Sequence, residues 1–184
     1  MSDKLSFDQW TLQQIRYDKS MMSWLEERRY EWLPLVADAL NRIVSGYSVL
    51  ILTDDERDWF GQYVVTSLNY SLKNRPFIPI YELKKIAPYL VRLQGKEEIE
   101  LFFDTLELSY GQHYFIWYIG GANTPYVKLA KNRHDSFLWI LDENMQNNFT
   151  LNSFDDLLDI KLLQLFRLFE KSLEGAIFGE FVLE

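Results

Sequence analysis

Apolar residues recur at the spacing of a helix between residues 21 and 43. Successive members of the series are three, four or seven positions apart, which places them on one helical face. The series comprises Met21, Leu25, Trp32, Val36, Leu40 and Ile43. Ser23 and Glu26 have the spacing of a capping box, and Pro34 predicts a kink or a division into two helices. This aromatic stretch is therefore predicted to be a framework helix, with Trp32 in the core and its other rings shared between core and subunit contact.

The rest of the chain alternates between short apolar runs and longer amphipathic segments. The apolar runs are rich in β-branched and aromatic residues and are bounded by Gly, Pro, Asp or Asn, a pattern that predicts strands. The predicted strands cover residues 48–52, 75–81, 113–120, 136–142 and 148–151. Besides the helix above, the predicted helices cover residues 5–17, 53–70, 82–93, 97–109, 123–132 and 154–178.

Strands that are continuous apolar runs and alternate with helices are typical of an open parallel sheet covered on both faces. Right-handed crossovers favour a flavodoxin-like strand order or a close variant. We therefore predict an α/β fold, a three-layer sandwich in a single domain over residues 1–184. The last helix, over 154–178, is apolar almost all round, so it is expected to be buried in the core or against another subunit.

Charge and composition narrow the range of possible functions. The net charge is −8 and the pI about 4.9, which disfavours direct binding to DNA or anionic membranes because such binding needs clustered Lys and Arg. The chain has no cysteine, which excludes thiolate chemistry. No signal-peptide pattern opens the chain, and its longest apolar stretch is too short to cross a bilayer, so we expect a cytoplasmic protein. Aromatic residues make up 16 % of the chain, and we expect some of them at subunit contacts.

Polar side chains follow three predicted strands, at the edge where parallel sheets bind ligands. The segments are Thr53-Asp54-Asp55, Gly120-Gly121-Ala122-Asn123 and Asp142-Glu143. Asp54 and Asp55 have the chemistry of a magnesium site, as in phosphoacceptor receiver domains. Such domains also need an Asp after a central strand and a Lys after the last strand, and this chain lacks both. The alternative is that Asp55 caps the next helix with Asp58 in its first turn, and we expect no metal.

Gly120 and Gly121 could open a phosphate-binding nest. They have neither the spacing of a dinucleotide-binding loop nor the Lys of a P-loop. A phosphate ~5 Å from Asp54 or Asp55 would be repelled by about 3 kcal/mol at an effective dielectric constant of about 20, whereas a helix dipole returns only ~0.3–1 kcal/mol. The glycines are therefore predicted to form a tight strand-to-helix turn, and no cofactor is expected.

The two histidines do not form a recognisable catalytic group. His113 begins a predicted strand and is expected to be structural. His134 lies beside Asp135 in a predicted loop, which leaves a Ser-His-Asp arrangement open, but the chain has no GxSxG motif. Acidic residues are too numerous for any pair to indicate catalysis. No catalytic residue is predicted.

A set of landmarks over nearly the whole chain resembles the HobA family, regulators of chromosome replication that associate with the initiator DnaA. The landmarks occur in the same order and at compatible spacing. They are Trp24-Leu25-Glu26-Glu27 with Glu31-Trp32 and Pro34, Trp59-Phe60-Gly61, Arg75-Pro76-Phe77 with Pro79-Ile80, Trp117-Tyr118-Ile119-Gly120, Phe137-Leu138-Trp139, and Asp159 with Lys161-Leu162. The resemblance implies a five-stranded parallel sheet with helices on both faces, as in sugar isomerase domains.

The resemblance also implies a homotetramer that binds the N-terminal domain of DnaA and helps several DnaA molecules to assemble at the replication origin. Sugar isomerase domains usually bind phosphosugars through Ser/Thr-rich and Gly-rich loops, whereas this chain has TDDERDW in the corresponding loop. That departure implies a scaffold protein that has kept the fold and lost the small-molecule site. The alternative is a phosphosugar-binding or isomerase domain of the same fold, followed by a receiver-like phosphoacceptor.

No family motif marks the residues that contact DnaA. From this chain alone, polar or aromatic residues in loops or at helix starts are predicted to contact the partner. They are Asp54, Asp55, Asn123, Tyr126 and Phe154. The acidic surface suits a protein partner rather than DNA.

Overall fold

The computed structural model describes residues 4–17, 21–70, 74–93 and 95–183. The helices are α1 Phe7–Tyr17, α2 Ser23–Val44, α3 Asp58–Leu68, α4 Leu83–Ile86, α5 Lys96–Tyr110, α6 Pro125–Lys131 and α7 Leu158–Phe178. The strands are β1 Leu5–Ser6, β2 Ser48–Thr53, β3 Ile80–Glu82, β4 Tyr114–Gly121, β5 Phe137–Leu141, β6 Phe149–Leu151 and β7 Phe181–Val182. Short 3-10 turns cover Asp55–Arg57 and Leu90–Arg92. Backbone contacts divide the chain into a helical unit, Met1–Ser45 with Phe154–Glu184, and a sheet unit, Gly46–Ser153.

The sheet unit contains a five-stranded parallel sheet with the strand order β3-β2-β4-β5-β6. This is the flavodoxin-like order predicted from the sequence. β4 lies at the centre, where Ile116 pairs with Leu50 of β2 and Tyr118 pairs with Leu138 of β5. β4 is buried along nearly its whole length, because both faces of a parallel sheet are covered and its sequence is apolar throughout. The predicted α/β fold with a five-stranded parallel sheet is confirmed.

One face of the sheet packs against α4, α5 and α6. Alternate side chains of β2, β4 and β5 form a buried cluster with apolar residues of these helices. The cluster includes Leu50, Leu52, Ile116, Tyr118, Leu138, Ile140, Leu83, Phe102, Leu106 and Val127. On the opposite face, the ring of Trp139 lies 5.1 Å from that of Trp117 and 6.3 Å from that of Phe60 in α3. This packing fixes the positions from which the strand-end loops emerge.

The helical unit consists of α1, α2 and α7, with β1 and β7 paired in parallel. Trp32 of α2 is 0 % exposed. Trp24 Nε1 donates a hydrogen bond to Gln164 Oε1 of α7 at 2.8 Å, and the ring of Phe7 stacks on that of Phe181 at 4.8 Å. The aromatic stretch is therefore a framework helix with Trp32 in the core, as predicted.

The start of α2 differs from the prediction, and Pro34 does not divide the helix in two. Met21 lies outside the helix with φ of 60° and is exposed, so it does not belong to the buried face. Ser23 is the first helical residue, and the residue at the cap, Met22, makes no side-chain hydrogen bond. α2 continues through Pro34, which is exposed, so that water can satisfy the carbonyl group that the ring leaves without an N–H partner.

Prolines also explain two other differences. The strand predicted over 75–81 is reduced to its last residues and Glu82 in β3, because prolines cannot donate to the ladder. The helix predicted over 82–93 is divided into α4 and a 3-10 turn, because Pro88 has no N–H with which to continue the helix. β1 and β7 were not predicted, since two residues are too few to show an alternating pattern.

Within the described residues, no helix combines the length and the apolar character needed to cross a membrane. The three-layer arrangement and the single domain over residues 1–184 stay predictions. Residues 1–3, 18–20, 71–73, 94 and 184 of that range lie outside the described residues.

Candidate functional site

The carboxyl ends of β2, β4 and β5 meet at one edge of the sheet, beside a crevice of about 390 Å³. The crevice is lined by the turn after β2, the loop after β4 and the segment after β5. Its polar lining includes Asp54, Asp55, Arg57, Asn123, Thr124 and Asp142. This is the edge at which the sequence placed the candidate ligands.

Asp54 is the centre of the hydrogen bonds in the crevice, although only 4 % of it is exposed. Its Oδ2 accepts hydrogen bonds from the Gly121 backbone N–H at 2.7 Å and from Arg57 Nη1 at 2.8 Å. Its Oδ1 accepts one from the Arg57 backbone N–H at 3.1 Å, so Asp54 caps the 3-10 turn. The prediction that Asp55 is the cap is therefore wrong, because the carboxylate one residue earlier reaches the N–H group of the turn.

Tyr118 and Thr124 hold the loop after β4. Tyr118 OH donates a hydrogen bond to the Gly121 carbonyl at 2.8 Å and lies 2.7 Å from Thr124 Oγ1. Thr124 also caps α6, since its Oγ1 accepts a hydrogen bond from the Val127 N–H at 3.3 Å. Burial raises the pKa of Tyr118, which keeps the hydroxyl protonated and able to donate. The loop is therefore fixed by its own side chains.

Lys84 connects a second set of polar residues beside the crevice. Its Nζ lies 2.7 Å from Asp55 Oδ1, 2.8 Å from Asp58 Oδ1 and 4.3 Å from the centre of the Tyr126 ring. Tyr126 OH donates a hydrogen bond to Asp55 Oδ1 at 3.2 Å. Thr53 Oγ1 donates one to Asp58 Oδ1 at 2.7 Å. Asp55 is thus both exposed and held by two neighbours.

These contacts shift the pKa values of the groups involved. The hydrogen bond from Lys84, with a smaller one from Tyr126, holds the pKa of Asp55 below its ordinary value. Burial by itself lowers the pKa of Lys84, but the hydrogen bonds to Asp55 and Asp58 outweigh burial and the pKa is raised. Asp55 and Lys84 therefore both stay charged at neutral pH.

Asp142 completes the crevice in a left-handed backbone conformation, with φ of 62°. Its Oδ1 accepts a hydrogen bond from the Ser153 N–H at 2.8 Å, and its own N–H donates to the Leu151 carbonyl at 2.9 Å. Hydrogen bonds from Ser153, with a smaller contribution from the charge of Arg57, lower the pKa of Asp142. Asp is one of the residues that adopt the left-handed conformation more readily than most.

The chemistry of the crevice is that of polar groups that satisfy one another. The Asp54 carboxylate pairs with Arg57 and takes the Gly121 N–H, while the Asp55 carboxylate pairs with Lys84. A phosphate in the crevice would meet these carboxylates and would find the Gly121 N–H already engaged. Among the described residues, no group of three or more His, Asp or Glu side chains is placed to hold a metal ion.

The five residues predicted to contact the partner do not share one environment. Asp55 and Asn123 are exposed at the crevice, and Phe154 is 88 % exposed in the helical unit. Asp54 and Tyr126 are only 4 % and 6 % exposed, which leaves little of either side chain for direct contact with a partner. The donors described above draw the Asp54 carboxylate inward, and the Tyr126 ring packs beneath an ammonium group.

The Ser and Asp side chains near His134 are engaged elsewhere. Both carboxylate oxygens of Asp135 accept hydrogen bonds from Arg133 at 2.8 Å. Ser136 Oγ donates to the Ala130 carbonyl at 2.7 Å. No Ser-His-Asp arrangement is formed from these residues.

Three residues of the crevice and its surroundings were missed by the sequence-based prediction: Arg57, Lys84 and Tyr118. Arg57 has the spacing of a residue whose N–H is capped by an Asp three positions earlier. Tyr118 and Lys84 carry no such signal, because an apolar strand and a short basic segment do not indicate these contacts.

A sequence model of the HobA family, described as a DNA replication regulator, matches residues 1–183. The chain belongs to the HobA family. It is 32 % identical over 162 residues to the DNA replication regulator protein HobA of Helicobacter pylori (strain ATCC 700392 / 26695), and the match covers 87 % of each protein. The family inferred from the landmark residues is thereby confirmed.

Solved HobA structures have the fold of this HobA-family chain. The crystal structure of a HobA–DnaA (domain I–II) complex from Helicobacter pylori aligns with a TM-score of 0.75 and 29 % identity, over 96 % of this chain and 98 % of that chain. A crystal structure of HobA from the same organism aligns with a TM-score of 0.75 and 27 % identity over the same shares. The chain is therefore a member of a family of DNA replication regulators.

Proposed function

We propose that this HobA-family chain binds the N-terminal part of DnaA, domains I–II, in the cytoplasm and regulates the start of chromosome replication. In this proposal it gathers several DnaA molecules at the origin as a scaffold, without catalysis and without a cofactor. The observation that carries the proposal is its similarity, over 96 % of its length, to the HobA protein crystallised with DnaA domain I–II.

The charge of the chain supports a protein partner rather than direct contact with DNA. A net charge of −8 opposes approach to the phosphate backbone, since binding there depends on cationic side chains that release counterions. DnaA would then supply the DNA contacts, and this chain would supply sites for DnaA. Regulation would act through the local concentration of the initiator.

We propose Asp55, Asn123 and Phe154 as residues that contact DnaA. All three are exposed, and they offer a carboxylate, an amide and an aromatic ring. Asp54 and Tyr126, which are buried, would act by holding the exposed groups: Tyr126 through its hydrogen bond to Asp55, and Asp54 through the loop that carries Asn123. An exposed phenylalanine is the strongest of these candidates, because large aromatic side chains are enriched among residues that dominate binding energy.

We also propose that the chain forms a homotetramer with a sugar-isomerase-like fold. Exposed apolar side chains on α2 and α7 offer surface that subunit contacts would bury. They are Tyr30, Val44, Ile160 and Phe178. A symmetric assembly would offer several equivalent sites for DnaA, so that one scaffold could hold several initiators.

A phosphosugar-binding or isomerase function lacks comparable support. The Gly121 N–H and the Arg57 guanidinium, the groups suited to a phosphate, are engaged by Asp54. The crevice therefore offers an anionic ligand little beyond repulsion.

Isothermal titration calorimetry with domains I–II of DnaA from the same organism tests the proposal. We expect saturable binding, and sedimentation velocity should give a tetramer before DnaA is added and a larger complex afterwards. No heat of binding with DnaA at about 100 μM would overturn the proposal, because that ceiling corresponds to an affinity weaker than about −5.5 kcal/mol.

Matched variants test the contact residues. Phe154→Ala should weaken binding by at least tenfold, whereas Phe77→Ala, which removes a phenylalanine that is 80 % exposed in the sheet unit, should leave the affinity unchanged. Asp55→Asn and Asn123→Ala should each weaken binding, and Asp104→Asn on α5 serves as the control for loss of an exposed carboxylate. Equal affinities for the Phe154→Ala and Phe77→Ala proteins would remove Phe154 from the contact surface.

A further inference from the structure

We propose that the donors around Asp54 form an oxyanion-binding site that the chain fills with its own carboxylate. Asp54 accepts hydrogen bonds from the Gly121 N–H at 2.7 Å, from Arg57 Nη1 at 2.8 Å and from the Arg57 N–H at 3.1 Å, and only 4 % of it is exposed. Backbone N–H groups and a guanidinium that converge on one anion are the arrangement that binds phosphate and sulfate in proteins. The ligand class is therefore a small tetrahedral oxyanion, which Asp54 replaces.

The backbone is shaped around the carboxylate. A Cβ atom at Gly120 would lie 2.8 Å from Asp54 Oδ2, so a larger residue there would force this oxygen to shift. The side chain of Arg57 is 12 % exposed and also contacts Glu56 Oε2 at 2.7 Å, which keeps the guanidinium near the crevice. The donors belong to the turn after β2 and to the end of β4, so they would remain in place if the side chain at position 54 were shortened.

Two effects keep a free oxyanion out of the native site. The carboxylate occupies the donors, and its charge repels a second anion. Asp54→Ala takes this carboxylate away from the donors and removes its charge from a crevice of about 390 Å³, which has room for a phosphate. The other carboxylates of the lining keep their own partners. Asp55 contacts Lys84, and Asp142 accepts a hydrogen bond from the Ser153 N–H. Glu56 keeps its contact with Arg57 Nη1, which carries a second N–H for the anion.

The inference concerns a different property from the binding of DnaA and does not depend on it. A carboxylate supplied by the chain removes the need for a ligand at the strand ends while keeping their backbone donors satisfied. Asp54 would then be the residue that closes the site to free oxyanions.

Thermal unfolding of the native, Asp54→Ala and Asp54→Asn proteins tests the inference, with sodium phosphate compared with sodium chloride at equal pH and ionic strength. Asp54→Asn removes the negative charge but keeps the volume of the side chain. It therefore separates repulsion of the anion from physical occupation of the donors. We expect the Tm of the Asp54→Ala protein to rise by about 4–7 °C at a phosphate concentration about twenty times Kd, and the Tm of the native protein to stay unchanged. Calorimetry should give saturable phosphate binding to Asp54→Ala that is lost when Arg57→Gln is added.

Three outcomes would overturn the inference. Phosphate could raise the Tm of the native protein as much as that of the Asp54→Ala protein, which would mean that the anion binds elsewhere. A folded Asp54→Ala protein could show no shift, which would mean that the donors do not bind a free oxyanion. If Asp54→Ala is unfolded in chloride, circular dichroism in phosphate decides, with Asp54→Ser as a second variant: recovery of the folded spectrum supports the site, and no recovery in either variant refutes it.

Discussion

Replacement of Gly120 by Ala is expected to destabilise the chain more than the same replacement at the next residue. A Cβ atom at Gly120 would lie 2.7 Å from Tyr118 OH and 2.8 Å from Asp54 Oδ2, distances that real Cβ atoms essentially never show. At Gly121 the nearest atoms would be 3.6 Å away, an ordinary contact. The two positions are adjacent in β4, so they form a matched pair.

The magnitude follows from the two groups that would have to move. Tyr118 OH is held by the Gly121 carbonyl at 2.8 Å and by Thr124 Oγ1 at 2.7 Å, and Asp54 is held by Arg57. Overpacking costs about 1–3 kcal/mol, and each hydrogen bond that is lengthened costs up to about 1 kcal/mol. We expect Gly120→Ala to lower the free energy of unfolding by about 2–4 kcal/mol. Gly121→Ala should cause no loss or a small increase in stability, because alanine loses less conformational entropy than glycine on folding.

Differential scanning calorimetry measures the difference. For a chain of this size each 1 kcal/mol corresponds to about 2–4 °C in Tm, so Gly120→Ala should melt about 4–16 °C below the native protein. In a Tyr118→Phe background the Cβ atom no longer meets a hydroxyl, and the loss should shrink by about 1 kcal/mol or more. Equal Tm values for the two alanine variants would refute the packing described at the end of β4.

Other changes have equally definite outcomes. Trp32→Ala should lower the free energy of unfolding in urea by about 3–5 kcal/mol because the ring is 0 % exposed, and a loss below about 1 kcal/mol would remove Trp32 from the core. Lys84 lowers the pKa of Asp55, so the stabilisation from this pair is complete above the ordinary Asp value of 3.8 and is lost as the pH falls through the lowered pKa. Urea titrations at about pH 7 and about pH 3 should show less acid destabilisation for Lys84→Gln than for the native protein, and an equal loss would contradict the coupling. Trp24→Phe should cost about 0.5–1.5 kcal/mol in the native background and less in Gln164→Leu, since the hydrogen bond joins these two side chains.

Much of the fold could be predicted because the apolar pattern of the chain is local. β2, β4 and β5 begin and end within one residue of their predicted bounds, since each is a continuous apolar run closed by Gly or by a polar residue. The errors occur where one residue changes the backbone without changing the apolar pattern. Pro88 divides a helix, and Met21 takes a left-handed conformation before α2 although its spacing fits the helical series.

The site was harder to predict because its contacts join distant parts of the sequence. Asp54 bonds to Gly121, 67 positions away, and Lys84 bonds to Asp55, 29 positions away. The sequence showed acidic residues beside glycines and indicated repulsion of a phosphate. It did not indicate that Asp54 is buried, because burial of a carboxylate depends on donors that only the folded chain brings to it. A phosphate is therefore disfavoured for two reasons: the carboxylates repel it, and Asp54 already occupies the hydrogen-bond donors.

The hydrogen bonds of the crevice separate residues that hold it from residues that can serve recognition. Asp54 has its partners within the chain and is buried, so its loss should reduce stability and should reduce affinity for DnaA only through the loop that carries Asn123. Asp55 is paired with Lys84 and is also exposed, so its loss should reduce both the stability and the affinity for DnaA. Phe154 is almost fully exposed, and its replacement should reduce affinity at nearly constant stability. Plotting affinity against Tm for these three variants therefore distinguishes a loop that only supports the fold from one that also contacts DnaA.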